Sequence, residues 1–434
     1  MEYQEAIDFL FPLHRFGIKP GLDRINALLD ALDHPEQRLG TIVHIAGTNG
    51  KGTVASCMAS IFQASGRKTG LFTSPHLIDF TERIRIDGQQ ISREKVAEYC
   101  TRLKPTIVEQ GATFFEVTTA MAFAFFAGDG VDAAVIETGM GGRLDATNTV
   151  RSDIVIIPSI GIDHTAWLGE SLREIAGEKA AIIKPGSRVY TAVPEGEALE
   201  EIRRSAERCS AELHHAGHEA SFTVFDAQPG LLDLEVRLSG GDRHRFKVPL
   251  TGSFHAANVT LAVLAALSTG ICWPDIETGL SRLSSVGYRA RLERISERPL
   301  VMLDVSHNPD GMEKTVQALD EMRNSFRSLL VLVGVAADKD AAGIVRQLQQ
   351  IADVVVAVDL PSERSLPAEA LAALCTGAGI RDVHVCRSST EGLDLLGRLA
   401  APEDLILVTG SFFLAGEVAS MERFCSQTVE AGKR

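Results

Sequence analysis

The sequence lacks the features that mark several classes of protein. Its seven cysteines form no Cys-x-x-Cys pair, and such scattered cysteines fit reduced core thiols better than disulfides or a zinc site. It contains no apolar run of about 18 residues, the length that a membrane-spanning helix needs. The first residues, Met1 to Glu5, have neither the basic nor the apolar region of a signal peptide. We therefore expect a cytoplasmic protein with no membrane partner.

Positive charge is also scarce. The chain has 43 Lys and Arg against 57 Asp and Glu, which gives a formal net charge of −14. A general nucleic-acid-binding protein needs a basic face, so we expect no nucleic-acid partner and only local anion sites. The content of 45% hydrophobic and 23% charged residues is typical of globular proteins. A chain of 434 residues exceeds one ordinary core, and its length suggests two or three domains.

The most informative segment is a glycine-rich turn between a predicted strand and a predicted helix. The β-branched run 41–45 leads into Gly47-Thr48-Asn49-Gly50-Lys51-Gly52-Thr53, and a helical pattern begins at Val54. Glycines let backbone N–H groups converge on phosphate oxygens, a helix N-terminus adds partial positive charge, and Lys51 adds a full charge. Two residues separate the first Gly from the Gly-Lys pair, where the standard P-loop has four. The segment therefore predicts a variant phosphate-binding loop for a nucleotide.

The hydrophobic pattern predicts two α/β domains. The runs 133–136 and 153–157 are apolar throughout, as expected for a parallel sheet covered on both faces. After Pro299, strand-like runs at 300–305, 328–335, 354–360, 383–387 and 404–409 alternate with helical patterns at 311–324, 341–352, 367–378, 389–400 and 412–426. This alternation predicts a smaller doubly wound domain. We place the domains at 1–290 and 291–434, joined at the Arg-rich segment 287–293.

Candidate metal ligands follow the predicted strands of the first domain. Glu137 closes one strand and opens the Gly-rich segment 138–148, and His164 follows the strand 153–160. A single Glu or His at a strand end is often solvated or structural, but the carboxyl ends of parallel strands meet at one sheet edge. Together they predict a Mg²⁺ site, to which Ser74 could add a third ligand directly or through water. Lys179 lies on a predicted helix, where a solvated surface lysine is the ordinary interpretation.

In the second domain, Asp304 and His307 follow the strand 300–305 and precede Pro309. This position again marks the carboxyl edge of a sheet. Asp304 could bind a ribose hydroxyl or a base, and His307 a carboxylate or a phosphate. The segments 338–340 and 409–411 also follow strands, but each could equally be a surface turn.

Taken together, these stretches resemble the folylpolyglutamate synthase/dihydrofolate synthase family of the Mur-ligase superfamily, which are ATP-dependent amide-forming ligases. The matching stretches are 44–53, 74–77 with 82–84, 115–116, 137–148, 163–164, 178–180, 304–309, 338–340 and 408–411. The resemblance implies a Mur-ligase-type ATPase domain with a mostly parallel sheet, followed by a Rossmann-like glutamate-ligase domain. It also implies that L-glutamate is joined to the carboxylate of dihydropteroate or of reduced folates through an acyl phosphate. We expect the protein to act on these small molecules as a monomer.

The resemblance implies specific residue roles. ATP would be held by Thr48, Asn49, Gly50, Lys51, Gly52 and Thr53, and its nucleotide contacted by Asn258, Arg291 and Asp304. Mg²⁺ would be bound by Ser74, Glu137 and His164. The pterin substrate would contact Phe115, Glu116, Leu144, Asp145 and Ala146. Lys51, His164, Lys179 and His307 would act in catalysis, and the lysine that matches Lys179 is carbamylated in the family.

Two departures and two alternatives accompany this resemblance. The family pattern Gly-x-His-Gln-x-x-Asn is replaced by Gly252 to Asn258, and Trp-Pro-Gly-Arg by Tyr288 to Arg291, although the final Asn and Arg are kept.

Muramyl ligases carry a uridine-nucleotide domain before the phosphate loop, and the 46 residues before Gly47 are too few for one. A nucleotide-dependent switch or binding protein would not need a second α/β domain.

Overall fold

The computed structural model describes residues 1–16, 21–422 and 424. Packing divides the chain into two compact units. The first comprises Met1–Phe222, Val236–His244 and Ala257–Gly287, and the second comprises Thr223–Glu235, Arg245–Ala256 and the chain from Tyr288. The second unit thus includes segments before residue 290, and its last segment begins close to the boundary that the sequence predicts.

The first unit is built on an eight-stranded sheet with the order β4-β3-β2-β5-β1-β6-β7-β8. In this spatial order, the neighbouring pairs β2-β5, β5-β1, β1-β6, β6-β7 and β7-β8 are parallel, whereas β2-β3 and β3-β4 are antiparallel. The strands are β1 (Thr41–Ile45), β2 (Thr69–Phe72), β3 (Ile84–Ile86), β4 (Gln89–Gln90), β5 (Ala133–Glu137), β6 (Ile154–Ile157), β7 (Arg188–Thr191) and β8 (Glu212–His215).

The central strands are buried along their length, because aliphatic side chains cover both faces. The adjacent parallel strands β2, β5, β1 and β6 end at the same edge of the sheet. Register places Ile45 beside both Glu137 and Ile156. The segments that follow these four strands therefore lie next to one another.

Helices surround this sheet. Among the described residues before position 290 they are α1 (Tyr3–Leu10), α2 (Asp23–Asp30), α3 (Lys51–Ala64), α4 (Arg93–Gln110), α5 (Phe114–Asp129), α6 (Thr165–Leu168), α7 (Leu172–Ala180), α8 (Glu197–Arg208), α9 (Ala216–Glu219), α10 (His255–Leu267) and α11 (Trp273–Ser281). Helix α3 begins directly after Gly50 and is buried along most of its length. None of the helices in the described part of the chain has the length and apolar character that crossing a bilayer requires.

A three-stranded sheet that the sequence analysis did not predict lies between these elements along the chain. Its order is β11-β10-β9, and its strands are β9 (Ala220–Gln228), β10 (Leu231–Leu238) and β11 (Arg243–Val248). Strand β9 is largely exposed, so it lacks the continuous apolar run that marks the strands of the large sheet.

The C-terminal part of the chain forms a six-stranded sheet with the order β12-β13-β17-β14-β15-β16, in which only the β12-β13 pair is antiparallel. Its strands are β12 (Glu293–Glu297), β13 (Leu300–Leu303), β14 (Leu329–Val333), β15 (Val354–Val358), β16 (Asp382–Cys386) and β17 (Leu405–Thr409). Its helices are α12 (Pro309–Glu321), α13 (Ala341–Leu348), α14 (Ala368–Gly377), α15 (Ser389–Leu399) and α16 (Phe412–Ala419).

The α/β fold class with two mostly parallel sheets is thus confirmed, and the five predicted strand–helix pairs after Pro299 are all present. Strand β12 was not predicted, because its sequence, Glu-Arg-Ile-Ser-Glu, is mostly polar and it lies at an edge of the sheet. The predicted helix 412–426 is observed over Phe412–Ala419. Residues 423, 425 and 426 of that prediction lie outside the described residues.

Candidate active site

The phosphate loop has the backbone geometry that the glycine pattern predicts. Gly50 has a left-handed φ of 86°, and a Cβ atom there would lie 2.6 Å from Asn258 Oδ1. At Gly47, a Cβ would lie 3.1 Å from the ring of Pro158. Helix α3 begins at the next residue, Lys51, so the N–H groups of its first turn lie at the loop. A loop of this shape fits an anionic oxygen ligand.

Two polar residues of the loop hold it to the segment after β6. Thr48 Oγ1 donates to Gly161 O at 3.1 Å and accepts from Gly161 N–H at 2.9 Å. Asn49 N–H donates to Ser159 Oγ at 2.9 Å, and Ser159 Oγ donates to Asn49 O at 2.9 Å. In this structure the side chains of Thr48 and Ser159 therefore fix the shape of the loop, a task that the sequence analysis did not assign to Thr48.

Two lysines converge on one carbonyl oxygen of the loop. Lys51 Nζ donates to Gly47 O at 2.9 Å and to Thr48 O at 3.2 Å. Lys179 Nζ, from α7, donates to the same Gly47 O at 3.0 Å. Lys179 is only 4% exposed. Burial, and then the charge of Lys51, lower the pKa of Lys179 from 10.5 to about 7, although two nearby aspartates oppose the shift. Lys179 is thus a buried amine, where the sequence alone favoured a surface lysine.

Glu137 and Ser74 are in contact at the ends of β5 and β2. Glu137 is 4% exposed, and its Oε2 accepts a hydrogen bond from Ser74 N–H at 3.1 Å. The loop after Ser74 is ordered by Glu82, whose carboxylate accepts N–H groups of residues 77, 78 and 79. Arg83 is buried close by, and burial lowers its pKa to about 10 against the opposing charges of Glu137 and Glu82. A buried carboxylate is the kind of hard oxygen ligand that Mg²⁺ prefers.

His164 lies in a more exposed position than these residues. It has a left-handed φ of 52° and directly precedes α6. Its side chain is 37% exposed and lies 3.9 Å from Asp163 Oδ1. Within residues 1–16, 21–422 and 424, no group of three or more His, Cys, Asp and Glu side chains is arranged to hold a metal ion. The structure therefore brings Ser74 and Glu137 together, and the place of His164 in a metal site stays a prediction.

The Gly-rich segment 138–148 packs tightly against α7. A Cβ atom on Gly142 would lie 2.7 Å from the carbonyl oxygens of Glu178 and Lys179, so only glycine fits. Asp145 is buried and bonded within the segment; burial raises the pKa of Asp145, although hydrogen bonds oppose this. Leu144 is 47% exposed, and Ala146 is buried.

Phe115 lies against this segment, and Glu116 has structural partners. A Cβ atom on Gly139 would lie 2.6 Å from the Phe115 ring. Glu116 is the capping-box residue of α5, where it bonds with Thr113. Its carboxylate also pairs with Arg24 at 3.0 Å. The structure thus places Phe115 beside the segment predicted to bind the pterin, and it gives Glu116 a role in holding α5.

In the second unit, Asp304 is the centre of a buried network. Its Oδ1 accepts from Leu292 N–H at 3.3 Å. Its Oδ2 accepts from Ser306 N–H at 3.0 Å, Thr315 Oγ1 at 2.9 Å and Thr409 Oγ1 at 3.4 Å. These bonds join the ends of β13 and β17 to α12. The predicted contact of Asp304 with the nucleotide remains a prediction.

His307 and Arg291 lie beside Phe412. His307 Nδ1 donates to Val305 O at 2.9 Å, which leaves Nε2 as the acceptor if the ring is neutral. Its ring centre lies 5.9 Å from that of Phe412, and the Arg291 guanidinium lies 5.1 Å from the same ring. His255, at the departure from the family pattern, is buried, and burial and the charge of Arg291 lower its pKa to about 3.

Two residues near these groups received no role from the sequence. Ser159 holds the phosphate loop, and Arg83 is a buried cation beside Glu137. Arg83 carried a signal, because it is a charged residue next to an apolar strand. Ser159 carried none, since a serine after a strand is an ordinary turn residue.

Comparisons with known proteins agree with this geometry. The family model described as "Mur ligase middle domain" matches residues 45–266, and the model described as "Mur ligase, glutamate ligase domain" matches residues 290–412. The dihydrofolate synthase/folylpolyglutamate synthase of Bacillus subtilis is 33% identical over 96% of this chain and 98% of its own length. A probable bifunctional folylpolyglutamate synthase/dihydropteroate synthase of Haloferax volcanii is 34% identical over 96% of this chain. The chain spans about half the length of that relative.

Solved structures of such enzymes have the same fold. Mycobacterium tuberculosis folylpolyglutamate synthase complexed with ADP and AMPPCP aligns with a TM-score of 0.86 and 33% identity over 96% of this chain and 98% of its own. A bifunctional folylpolyglutamate synthase/dihydrofolate synthase with Mn, AMPPNP and L-glutamate bound aligns with a TM-score of 0.83 and 28% identity, over 97% of this chain and 98% of its own. The chain belongs to the dihydrofolate synthase/folylpolyglutamate synthase family of Mur ligases.

Proposed function

We propose that this chain is an ATP-dependent ligase that joins the amine of L-glutamate to the carboxylate of dihydropteroate, of a reduced folate, or of both. The observation that carries the proposal is the phosphate loop, in which Lys51 and Lys179 both donate to Gly47 O beside the left-handed Gly50. Cations and helix N-terminal amides are the groups that stabilise a phosphoryl group in transfer. Family membership supplies the class of substrate.

The chemistry follows from the poor reactivity of a carboxylate towards an amine. One carboxylate oxygen of the pterin substrate attacks the γ-phosphorus of ATP, the bond to the β–γ bridging oxygen breaks, and ADP leaves. The glutamate amine then attacks the acyl carbon, inorganic phosphate leaves, and the amine loses a proton. Positive charge from Lys51 supports the first step electrostatically. No covalent bond to the protein is part of this route.

We propose that Ser74 and Glu137 hold Mg²⁺, with His164 as a third ligand. The buried Glu137 carboxylate beside Ser74 fits a hard divalent cation. When bound, the cation would neutralise charge on the β- and γ-phosphate oxygens. A carbamylated Lys179 would add a carboxylate-like group close to this edge of the sheet.

We propose that the pterin ring binds at Phe115 and the Gly-rich segment 138–148, because an aromatic side chain lies there against a backbone that only glycine permits. Leu144 adds exposed apolar surface in the same segment. The roles of Asn258, Arg291 and Asp304 towards the nucleotide, and of His307 towards a carboxylate or phosphate, come from the family resemblance and stay predictions.

Reconstitution with defined substrates tests the proposal. Purified protein is incubated with ATP, Mg²⁺, L-glutamate and either dihydropteroate or a reduced folate, while phosphate release and the mass of the pterin product are followed. We expect phosphate release only when all components are present, and a product heavier by one glutamyl residue. Lys51→Met, checked for folding by circular dichroism, serves as the inactive control.

The other outcomes identify the alternatives. Turnover with a different carboxylate acceptor, and none with either pterin, would indicate another Mur-type amino-acid ligase. ATP hydrolysis that ignores both glutamate and pterin would favour a nucleotide-dependent switch protein. We also propose that the protein acts as a monomer in the cytoplasm, and light scattering after size exclusion tests the oligomeric state.

A further inference from the structure

A fully buried histidine lies on the strand that leads into the phosphate loop. His44 is in β1, whose sequence is Thr-Ile-Val-His-Ile, and none of its surface is exposed. In register it lies between Ile136 of β5 and Val155 of β6. An aliphatic side chain would fill the same space among these neighbours. Packing alone therefore does not explain why this residue is a histidine.

The hydrogen bonds of His44 have a defined direction. His44 Nε2 lies 2.8 Å from Thr147 Oγ1, and this hydroxyl donates its proton to Asp145 Oδ1 at 2.5 Å. A hydroxyl has one proton, so Thr147 must accept from His44, which fixes the neutral Nε2–H tautomer. Nδ1 is then an unprotonated acceptor, and it is buried without a hydrogen-bond partner. Burial, and then the charge of Lys184, lower the pKa of His44 to about 3, so the ring stays neutral.

The chain of hydrogen bonds ends at the residue that shapes the Gly-rich segment. Asp145 Oδ1 also accepts from Thr147 N–H at 3.0 Å, and Oδ2 accepts from Met140 N–H at 2.9 Å. The start of the segment is joined to β1 as well, because Thr138 N–H donates to Ile45 O at 2.9 Å. Strand β1 therefore holds both ends of the segment, at one end through its backbone and at the other through His44.

We propose that His44 is a positioning residue that fixes the Gly-rich segment 138–148 relative to the phosphate loop and acts on the pterin substrate through Thr147 and Asp145 without touching it. This inference rests on the proposed function, because it takes the segment to be the pterin site. Burying Nδ1 without a hydrogen-bond partner destabilises the folded state. In return, His44 fixes the position of Asp145 and of the amide groups that bond to it.

Kinetics of three variants test the proposal. His44→Leu removes the Nε2–H donor and replaces the imidazole by an apolar side chain of similar size. We expect it to raise KM for the pterin substrate by about tenfold or more, the effect of losing a buried hydrogen bond, and to change kcat and KM for ATP by no more than about twofold. His44→Gln can still donate from its amide to Thr147, and it should recover most of the loss. Val155→Ala, a neighbour of His44 in the sheet, is the control for destabilisation alone.

Two further measurements keep the proposal testable if His44→Leu does not fold. Thr147→Val removes the hydroxyl at constant shape and should raise KM for the pterin substrate by a similar factor. Amide hydrogen exchange across 138–148, measured without substrate, should be faster in Thr147→Val and His44→Leu than in wild type or Val155→Ala.

Opposite results would overturn the proposal. Unchanged KM and exchange in Thr147→Val, or a His44→Gln variant as impaired as His44→Leu, would make His44 a packing residue. The exchange comparison separates this failure from a failure of the proposed function. If wild-type protein ligates no glutamate to a pterin, the proposed function is wrong, whereas the exchange rates still decide whether His44 holds the segment.

Discussion

We predict that Lys179 makes the free energy of unfolding depend on pH between about 7 and 10.5. Its Nζ and that of Lys51 both donate to Gly47 O, at 3.0 and 2.9 Å, so the two nitrogens are no more than 5.9 Å apart. At an effective dielectric constant of about 20, two positive charges at that distance repel by about 3 kcal/mol. This repulsion adds to burial, the larger cause, and the pKa of Lys179 falls from 10.5 to about 7.

The sign of the effect follows from proton binding in the two states. The unfolded chain keeps the Lys179 proton up to about pH 10.5, and the folded protein keeps it only up to about pH 7. Between these values the unfolded state binds more protons, so the free energy of unfolding rises with pH. A tenfold change in proton affinity is worth about 1.4 kcal/mol, so the whole rise is about 5 kcal/mol. Below pH 7 the destabilisation is present in full.

Urea unfolding measures this rise directly. Wild type and Lys179→Met, which has a similar length and no charge, are compared from about pH 6.5 to 9.5 in buffer free of carbon dioxide. We expect the unfolding midpoint of the wild type to rise with pH relative to that of the variant. Parallel curves for the two proteins would refute the assignment of a lowered pKa to Lys179.

The same amine explains how carbamylation could occur. A neutral lysine amine attacks carbon dioxide, a proton is released, and the resulting carbamate carries a negative charge. Repulsion from Lys51 then becomes attraction. Added bicarbonate should therefore raise the unfolding midpoint of the wild type at a given pH, because only the folded state carries the carbamate, and leave Lys179→Met unchanged. If active protein treated with ¹³C-bicarbonate shows no carbamate carbon, Lys179 acts as a plain amine.

Three further predictions concern catalysis. Lys51→Ala should keep the fold and lower turnover about 10²-fold or more, because one charge at the transferred phosphoryl group is lost; near-normal turnover in a folded variant would contradict the loop assignment. Glu137→Ala and His164→Ala should each raise the Mg²⁺ concentration for half-maximal activity, and unchanged metal dependence in both would remove them from the metal site. Lys179→Ala should regain part of its activity with added short carboxylates if the carbamate is a ligand, and a complete lack of rescue would count against that role.

The sequence predicted the features that depend on local chemistry. The glycines at 47 and 50 predicted a tight turn, and the structure shows a left-handed φ at Gly50 and a close approach of Pro158 to Gly47. Continuous apolar runs predicted the buried parallel strands, because such strands need no polar face. Adjacent strand ends then brought Ser74 and Glu137 together, as the topology of a parallel sheet demands.

Partners distant in sequence could not be predicted. Lys179 is buried with its Nζ bonded to Gly47 O, 132 residues away in the sequence, and no pattern around Lys179 reveals that contact. Glu116 lies in a stretch that matches the family, yet its carboxylate caps α5 and pairs with Arg24. The sheet β9–β11 was not predicted, because β9 is exposed along most of its length. For Lys179 and Glu116, neighbours in the folded structure decide what the side chain does.

The proposed mechanism requires that the carboxylate of the pterin substrate is phosphorylated before glutamate reacts. The most direct test uses dihydropteroate, or a reduced folate, labelled with ¹⁸O in that carboxylate, together with ATP, Mg²⁺ and L-glutamate. In an acyl-phosphate route, the oxygen that attacks the γ-phosphorus leaves with the phosphate. We therefore predict that each released phosphate carries one labelled oxygen. Released phosphate without label, in a reaction that forms the glutamylated product, would contradict the mechanism.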